Sequence, residues 1–213
     1  MRWFYYVGRI LVRILLLLFT RWQVTGRDNI PVQGPLLVIV NHLNLADPPI
    51  LAVSLNRKAM FMAKEGLFRT KLSNYFIRGL GGFPVRRERM QREALIAAEQ
   101  VLNNGYALCI FPEGMRSRTA QLRQAFPGAA MIAIRTGVPI LPAAITGTET
   151  VKGAVWLRRP RLTVTFGQPF QLPPPAGNNN RDKCAEYIME RIAELLPPEY
   201  RGVYANTGTE QAT

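Results

Sequence analysis

Apolar and polar positions alternate along the chain in short blocks. Five compact apolar runs stand out: "LLVIV" (36–40), "AMFMA" (59–63), "ALCIF" (107–111), "PILPAAI" (139–145) and "RLTVTFG" (161–167). Each has the length of a strand and turn-forming or polar neighbours, so each predicts a β-strand. Between the second and third, "RRERMQREALIAAEQVLNNG" places apolar residues at 90, 94, 95, 98, 101 and 102. That is the spacing of one helix face, with Gly105 as a natural stop. "PGAAMIAIRTG" (127–137) predicts a second helix, opened by proline and closed by glycine, and another is predicted over 181–196 after the loop "QLPPPAGNNN". Strands alternating with helices predict the α/β class: a single domain with a central mixed, mostly parallel sheet flanked by helices.

The ends of the chain read differently. "RWFYYVGRILVRILLLLFTRW" (2–22) is strongly apolar, yet Arg9 and Arg13 interrupt it one helical turn apart. Its longest uncharged apolar run, Ile14 to Phe19, falls far short of the ~20 residues a spanning helix needs. No small-residue cleavage site follows, which argues against a signal peptide. As a helix, it sets Arg2, Arg9 and Arg13 roughly along one side. Residues 1–24 are therefore expected to form an apolar, amphipathic docking helix in the headgroup layer, its arginines on lipid phosphates. A helix packed into the core is the competing reading. The main domain is assigned to 25–196, and the turn-rich segment 197–213 is expected to be a loosely ordered tail.

Composition changes this picture in one respect. A chain of 213 residues fits one domain with a sizeable core. The 27 basic against 14 acidic residues leave a net charge of +13, and lysine appears only at 58, 64, 71, 152 and 183. Arginine's planar fork suits phosphate, so nucleic acid, anionic headgroups or a phosphorylated metabolite are the first partners to consider. Nucleic-acid binding is the alternative from a different class. Its basic footprint concentrates on one helix or interleaves with aromatics, whereas these arginines are spread along the chain. Cys109 and Cys184 make no disulfide framework or metal spacing, which favours a reduced, intracellular setting. One histidine and scattered carboxylates offer poor support for a metal site.

That histidine lies in "NHLNLADPP" (41–49), just after the first strand, with Asp47 five residues on. In one continuous helix the two side chains would point ~140° apart. Pro48 and Pro49 argue against such continuity, because proline is tolerated only in the first helical turn. A helix is expected to start near Asp47, leaving His42 in a strand-to-helix turn where the side chains can meet. Turns at the carboxyl ends of strands are where open α/β sheets keep ligands. A carboxylate on one ring nitrogen fixes the tautomer and makes the other a general base. The plainer reading has Asp47 capping the helix and His42 as a loop residue.

No G-x-S-x-G elbow exists, the only serines are 54, 73 and 117, and Cys109 sits in an apolar strand. The nucleophile is then expected to be a hydroxyl of the substrate. "GGFPVRRER" (81–89) and "FPEGMRSR" (111–118) present arginines beside turns, which suits an anion site, though each cluster alone reads equally as a solvated face. "GLGGFP" completes no dinucleotide fingerprint, and no convincing strand precedes it.

N-H-x4-D, G-x-F-P-V-x-R, F-P-E-G-x-R-S and the proline-containing strand "VPILPAA" (138–144), in this order, resemble the glycerolipid acyltransferase family. The nearest type is the 1-acylglycerol-3-phosphate acyltransferases, and the likeness covers roughly residues 25–170. It implies an enzyme in which His42, oriented by Asp47, deprotonates a glycerol hydroxyl that attacks the thioester of acyl-CoA or acyl carrier protein. It implies substrate-binding roles for Lys64, Phe83, Arg87, Glu113, Gly114 and Arg116, with arginine on phosphate and the glutamate near the glycerol. No cofactor is implied beyond the thioester co-substrate, and no metal. Partners are the thioester donor, lysophosphatidic acid and an anionic membrane surface on its cytoplasmic side. Two positions depart from the pattern: Met115 replaces a usual threonine, and Arg86 adds charge before the second block's arginine. Both leave the acceptor open, so glycerol 3-phosphate, another lysophospholipid or an amino-acid-derived lipid stay as alternatives.

Overall fold

The computed structural model describes residues 2–85, 90–151, 155, 158–172 and 180–205. Among them are seven strands: β1 (Arg21–Thr25), β2 (Leu36–Val40), β3 (Ala59–Lys64), β4 (Gly82–Val85), β5 (Ala107–Ile110), β6 (Ile140–Thr146) and β7 (Arg161–Phe166). They form one sheet in the order β1-β7-β6-β2-β5-β3-β4. Within the described residues only the β6–β7 pairing is antiparallel. Six helices accompany them: α1 (Arg2–Phe19), α2 (Asp47–Ser54), α3 (Lys71–Gly79), α4 (Met90–Asn103), α5 (Gly128–Thr136) and α6 (Asn180–Ala193).

β2 explains the layering. All five of its residues are buried, because a central strand covered on both faces needs a continuous apolar run rather than an alternating one. Leu36, Val38 and Val40 face one core with Leu16 of α1 and the apolar residues of α2. Leu37 and Ile39 face the other, filled from α4, α5 and α6. Pro142 sits inside β6 just past the last residue paired with β7, and its carbonyl accepts Gly167 N–H at 2.9 Å.

The five predicted strands and three predicted helices are present, with ends shifted by a few residues. β1, β4 and α3 are additions to the sequence reading. "GGFPV", read there as a glycine-rich turn, is itself edge strand β4, preceded by a helix. Residues 197–205, assigned above to a loose tail, make two 3-10 turns and bury Tyr204. Leu122 N–H donates to Tyr200 C=O at 2.8 Å, so this segment braces the loop after β5.

α1 divides its faces. Tyr5 and Leu16 are buried, and Tyr5 Oη accepts the Ala59 N–H at 3.0 Å. Arg9 does not join an outward row of arginines. Its guanidinium donates to the carbonyl of Leu55, and to that of Arg57 at 3.4 Å, closing the C-terminal end of α2. A carbonyl end of a helix attracts a cation, and that contact outweighs exposure to solvent. Arg13 is exposed; the side chain of Arg2 lies outside the described residues. Tyr6, Ile10, Leu11, Ile14, Leu17 and Leu18 are among the exposed apolar residues of the helix. Among the described residues no helix is long and apolar enough to cross a membrane.

Candidate active site

The carboxyl ends of β2 and β5 lie side by side, since Ile39 pairs with Ile110. The chain leaves β2 for strands on one flank and later reaches β6 on the other. That divergence opens a crevice where the first residues after β2 can project. His42 occupies this position, with 15 % of its side chain exposed.

His42 Nδ1 lies 2.8 Å from Asp47 Oδ2. Pro48 and Pro49 start α2 at Asp47, as their fixed φ favours. The Asp47 carboxylate does not cap that helix. It turns back to accept Leu43 N–H at 2.6 Å and Asn44 N–H at 2.7 Å on Oδ2, and Thr148 Oγ1–H at 2.7 Å on Oδ1. Asp47 is 0 % exposed. A fully buried carboxyl surrounded by donors is held as an acceptor, so Nδ1 carries the proton and Nε2 keeps its lone pair.

The loop after β5 is stitched to His42 through its main chain. Glu113 Oε1 accepts His42 N–H at 2.9 Å, and Ser117 N–H donates to His42 C=O at 2.7 Å. Glu113 Oε2 accepts Arg123 N–H at 3.1 Å. Burial pushes the Glu113 carboxyl up to about 7, against the backbone N–H groups, which pull it down. Both its oxygens face the backbone, and only 2 % of the residue is exposed. Glu113 thus clamps the loop after β5 to the main chain of His42. Gly114 follows with φ 66°, and a Cβ there would meet the Phe126 ring at 2.8 Å.

The other expected residues divide. Arg116 is exposed on the same loop, with Arg118 beside it. Lys64 is exposed at the carboxyl end of β3, two strand spacings or about 10 Å across the sheet from β2. Phe83 instead packs towards the α4 layer and lines a cavity of about 300 Å³ with Met60, Val101 and Tyr106. Arg87 and Arg86 lie outside the described residues. Burial drives the Cys109 thiol far above its usual range, so it supplies no thiolate. Among the described residues no three His, Cys, Asp or Glu side chains gather where a metal ion could be held. Sequence reasoning missed Thr148, Asn44 and Phe111. Thr148 gives no local signal, being 101 positions from the carboxylate it touches.

This arrangement can take a proton from a hydroxyl placed at Nε2 and return it to a leaving group, beside exposed guanidinium groups suited to an anion. Comparison with known proteins agrees. Residues 21–146 match the family described as Acyltransferase. The chain is 33% identical over 209 residues to the 1-acyl-sn-glycerol-3-phosphate acyltransferase of Streptococcus pneumoniae, covering 94% of this chain and 73% of that one. It is 31% identical over 128 residues to the protein of that name from Borreliella burgdorferi, covering 59% of this chain and 51% of the relative. Its fold is similar to the crystal structure of the 1-acyl-sn-glycerophosphate (LPA) acyltransferase PlsC from Thermotoga maritima. There the TM-score is 0.66 and the identity 27%, over 89% of this chain and 79% of that one. On sequence and fold together, the chain belongs to the acyltransferase family.

Proposed function

We propose that this enzyme moves a fatty acyl group from a thioester donor, acyl-CoA or acyl carrier protein, to the free hydroxyl of 1-acyl-glycerol 3-phosphate, giving phosphatidic acid. The observation that carries the reading is the buried Asp47 carboxylate on Nδ1 of His42, with no serine or cysteine side chain hydrogen-bonded to that ring among the described residues. Nε2 takes the hydroxyl proton as that oxygen bonds to the thioester carbon. The C–S bond then breaks, and the departing thiolate takes the proton back from the imidazolium.

Arg116, with Arg87 and Lys64, is assigned to the acceptor's phosphate. Holding hydroxyl and thioester together is worth about 7–11 kcal/mol, against ~10²–10⁴ in rate from a positioned base. Loss of a phosphate-binding arginine should therefore cost heavily, as raised acceptor KM, lowered kcat or both. The exposed apolar face of α1 is assigned to the cytoplasmic surface of an anionic membrane. It is supported by the exposed Leu72, Tyr75 and Phe76 of α3 in the same layer.

The test is thiol release from acyl-CoA by purified protein with lysophosphatidic acid, beside glycerol 3-phosphate and other lysophospholipids, and sedimentation with anionic vesicles. His42→Ala is expected to abolish transfer and leave vesicle binding intact. Near-native transfer by His42→Ala would refute the base assignment, and preference for another acceptor would refute the substrate.

A further inference from the structure

The Asp47 carboxylate has two buried oxygens, and only Oδ2 faces the imidazole. We propose that Thr148 is a positioning residue for the dyad. Its hydroxyl holds Oδ1, keeps Oδ2 on Nδ1 of His42, and so selects the tautomer whose Nε2 is free to accept a proton.

Thr148 Oγ1 lies 2.7 Å from Oδ1, and both residues are 0 % exposed. Oδ2 takes three donors: His42 Nδ1, Leu43 N–H and Asn44 N–H. Among the described residues Thr148 is the donor to Oδ1. A buried carboxylate oxygen left without a donor is costly, so without the Thr148 hydroxyl the carboxyl is driven to turn Oδ1 towards the donors that Oδ2 holds, which draws Oδ2 away from Nδ1.

Thr148 is itself held in place. It opens a 3-10 turn directly after β6, and Gly147 before it has φ 87°. A Cβ on Gly147 would stand 2.0 Å from the carbonyl oxygen of Arg161 in β7, so the turn is pressed against that strand. Asn44 closes the circuit: its Nδ2 donates to Thr148 C=O at 2.8 Å, while its N–H donates to Asp47. Asn41 secures the neighbouring main chain, exchanging hydrogen bonds of 2.8 and 2.7 Å with Ile145. The end of β6 thus reaches the dyad through one hydroxyl with no freedom to wander.

Because His42 is the only histidine, the untagged full chain labelled with ¹⁵N-histidine reports one imidazole. At fixed pH, wild type and Thr148→Ser are expected to show nitrogen shifts of a single tautomer and a downfield Nδ1–H proton. Thr148→Val, close in shape, is expected to average the two nitrogen shifts and lose that proton. The kinetic arm rests on the acyl-transfer reading: kcat of the valine variant should fall about tenfold at unchanged acceptor KM, with serine restoring it. Wild-type nitrogen shifts in Thr148→Val overturn the proposal. If circular dichroism shows the valine variant unfolded, Thr148→Cys, a weak donor, takes its place: intermediate shifts support the proposal and wild-type shifts overturn it. Absence of transfer by wild type refutes the proposed function and leaves the nitrogen shifts to decide on Thr148.

Discussion

The imidazole of His42 lies against the ring of Phe111, with centroids 4.2 Å apart and planes 27° apart. Phe111 is the first residue after β5, so the neighbouring strand supplies a flat wall that fixes the ring plane while Asp47 fixes its rotation. A stacked ring pair is worth about 0.5–1.5 kcal/mol beyond its buried area. Phe111→Leu should keep the core filled and lower kcat roughly 2- to 12-fold. Steady-state kinetics at saturating acceptor would measure it, and unchanged turnover would show that the wall is dispensable.

Asp47→Asn and Asp47→Ala should separate charge from shape. An asparagine can place its oxygen where Oδ2 stands and turn its amide towards Thr148, whose hydroxyl can accept as well as donate. Stability should then fall by no more than about 2 kcal/mol, while kcat drops by ~10²–10⁴ because no anion stabilises the imidazolium. Alanine strands the Leu43 and Asn44 N–H groups together with the Thr148 hydroxyl, and should cost about 3 kcal/mol or more in stability. Urea unfolding beside kinetics distinguishes the two cases.

Glu113 makes stability depend on pH. Its carboxyl is raised from 4.5 to about 7, so between those values the folded protein binds more protons than the unfolded chain. Stability from this group is fully present below about 4.5 and is lost as pH rises through about 7. Unfolding free energy of wild type minus that of Glu113→Gln should therefore fall with rising pH across that window, by up to ~3 kcal/mol, and level off above it. A flat difference would mean that the carboxylate stays ionised throughout.

Gly114→Ala should act on the loop without touching the dyad. The left-handed backbone at this residue and the approach to Phe126 both penalise a methyl group, at a cost of about 1–3 kcal/mol. Faster proteolysis within 111–126, with acceptor KM raised more than kcat is lowered, is the expected pattern.

Much of this site is legible in the sequence because it is local. Asn41 to Pro49 places a base and a carboxylate around one strand-to-helix turn, and the prolines announce that turn. The buried strands are legible because β2, β5 and β6 must be apolar on both faces. β1 is not, since its alternating exposure places Arg21 and Gln23 among only five residues. α3 has an apolar stripe, Leu72, Tyr75 and Phe76, but it spans only nine residues and that stripe is exposed rather than core-facing. It therefore falls short of the length that marks a core helix, and β4 is a four-residue edge strand containing Pro84. Arg9 was expected to face lipid because helical spacing reports which residues share a side, and says nothing of which side meets a neighbouring helix end. Thr148 and Phe111 reach the dyad only through strand order, which no local pattern encodes.

α2 is gripped at both extremities: Asp47 opens it, and Arg9 of α1 holds the carbonyl of Leu55 beyond its last turn. Eight residues make a strut of about 12 Å. The first helix and the His42 ring are thus tied to opposite ends of one short helix, so the position of one is linked to that of the other. A lipid held by the same surface would meet the ring at a fixed depth along its own length.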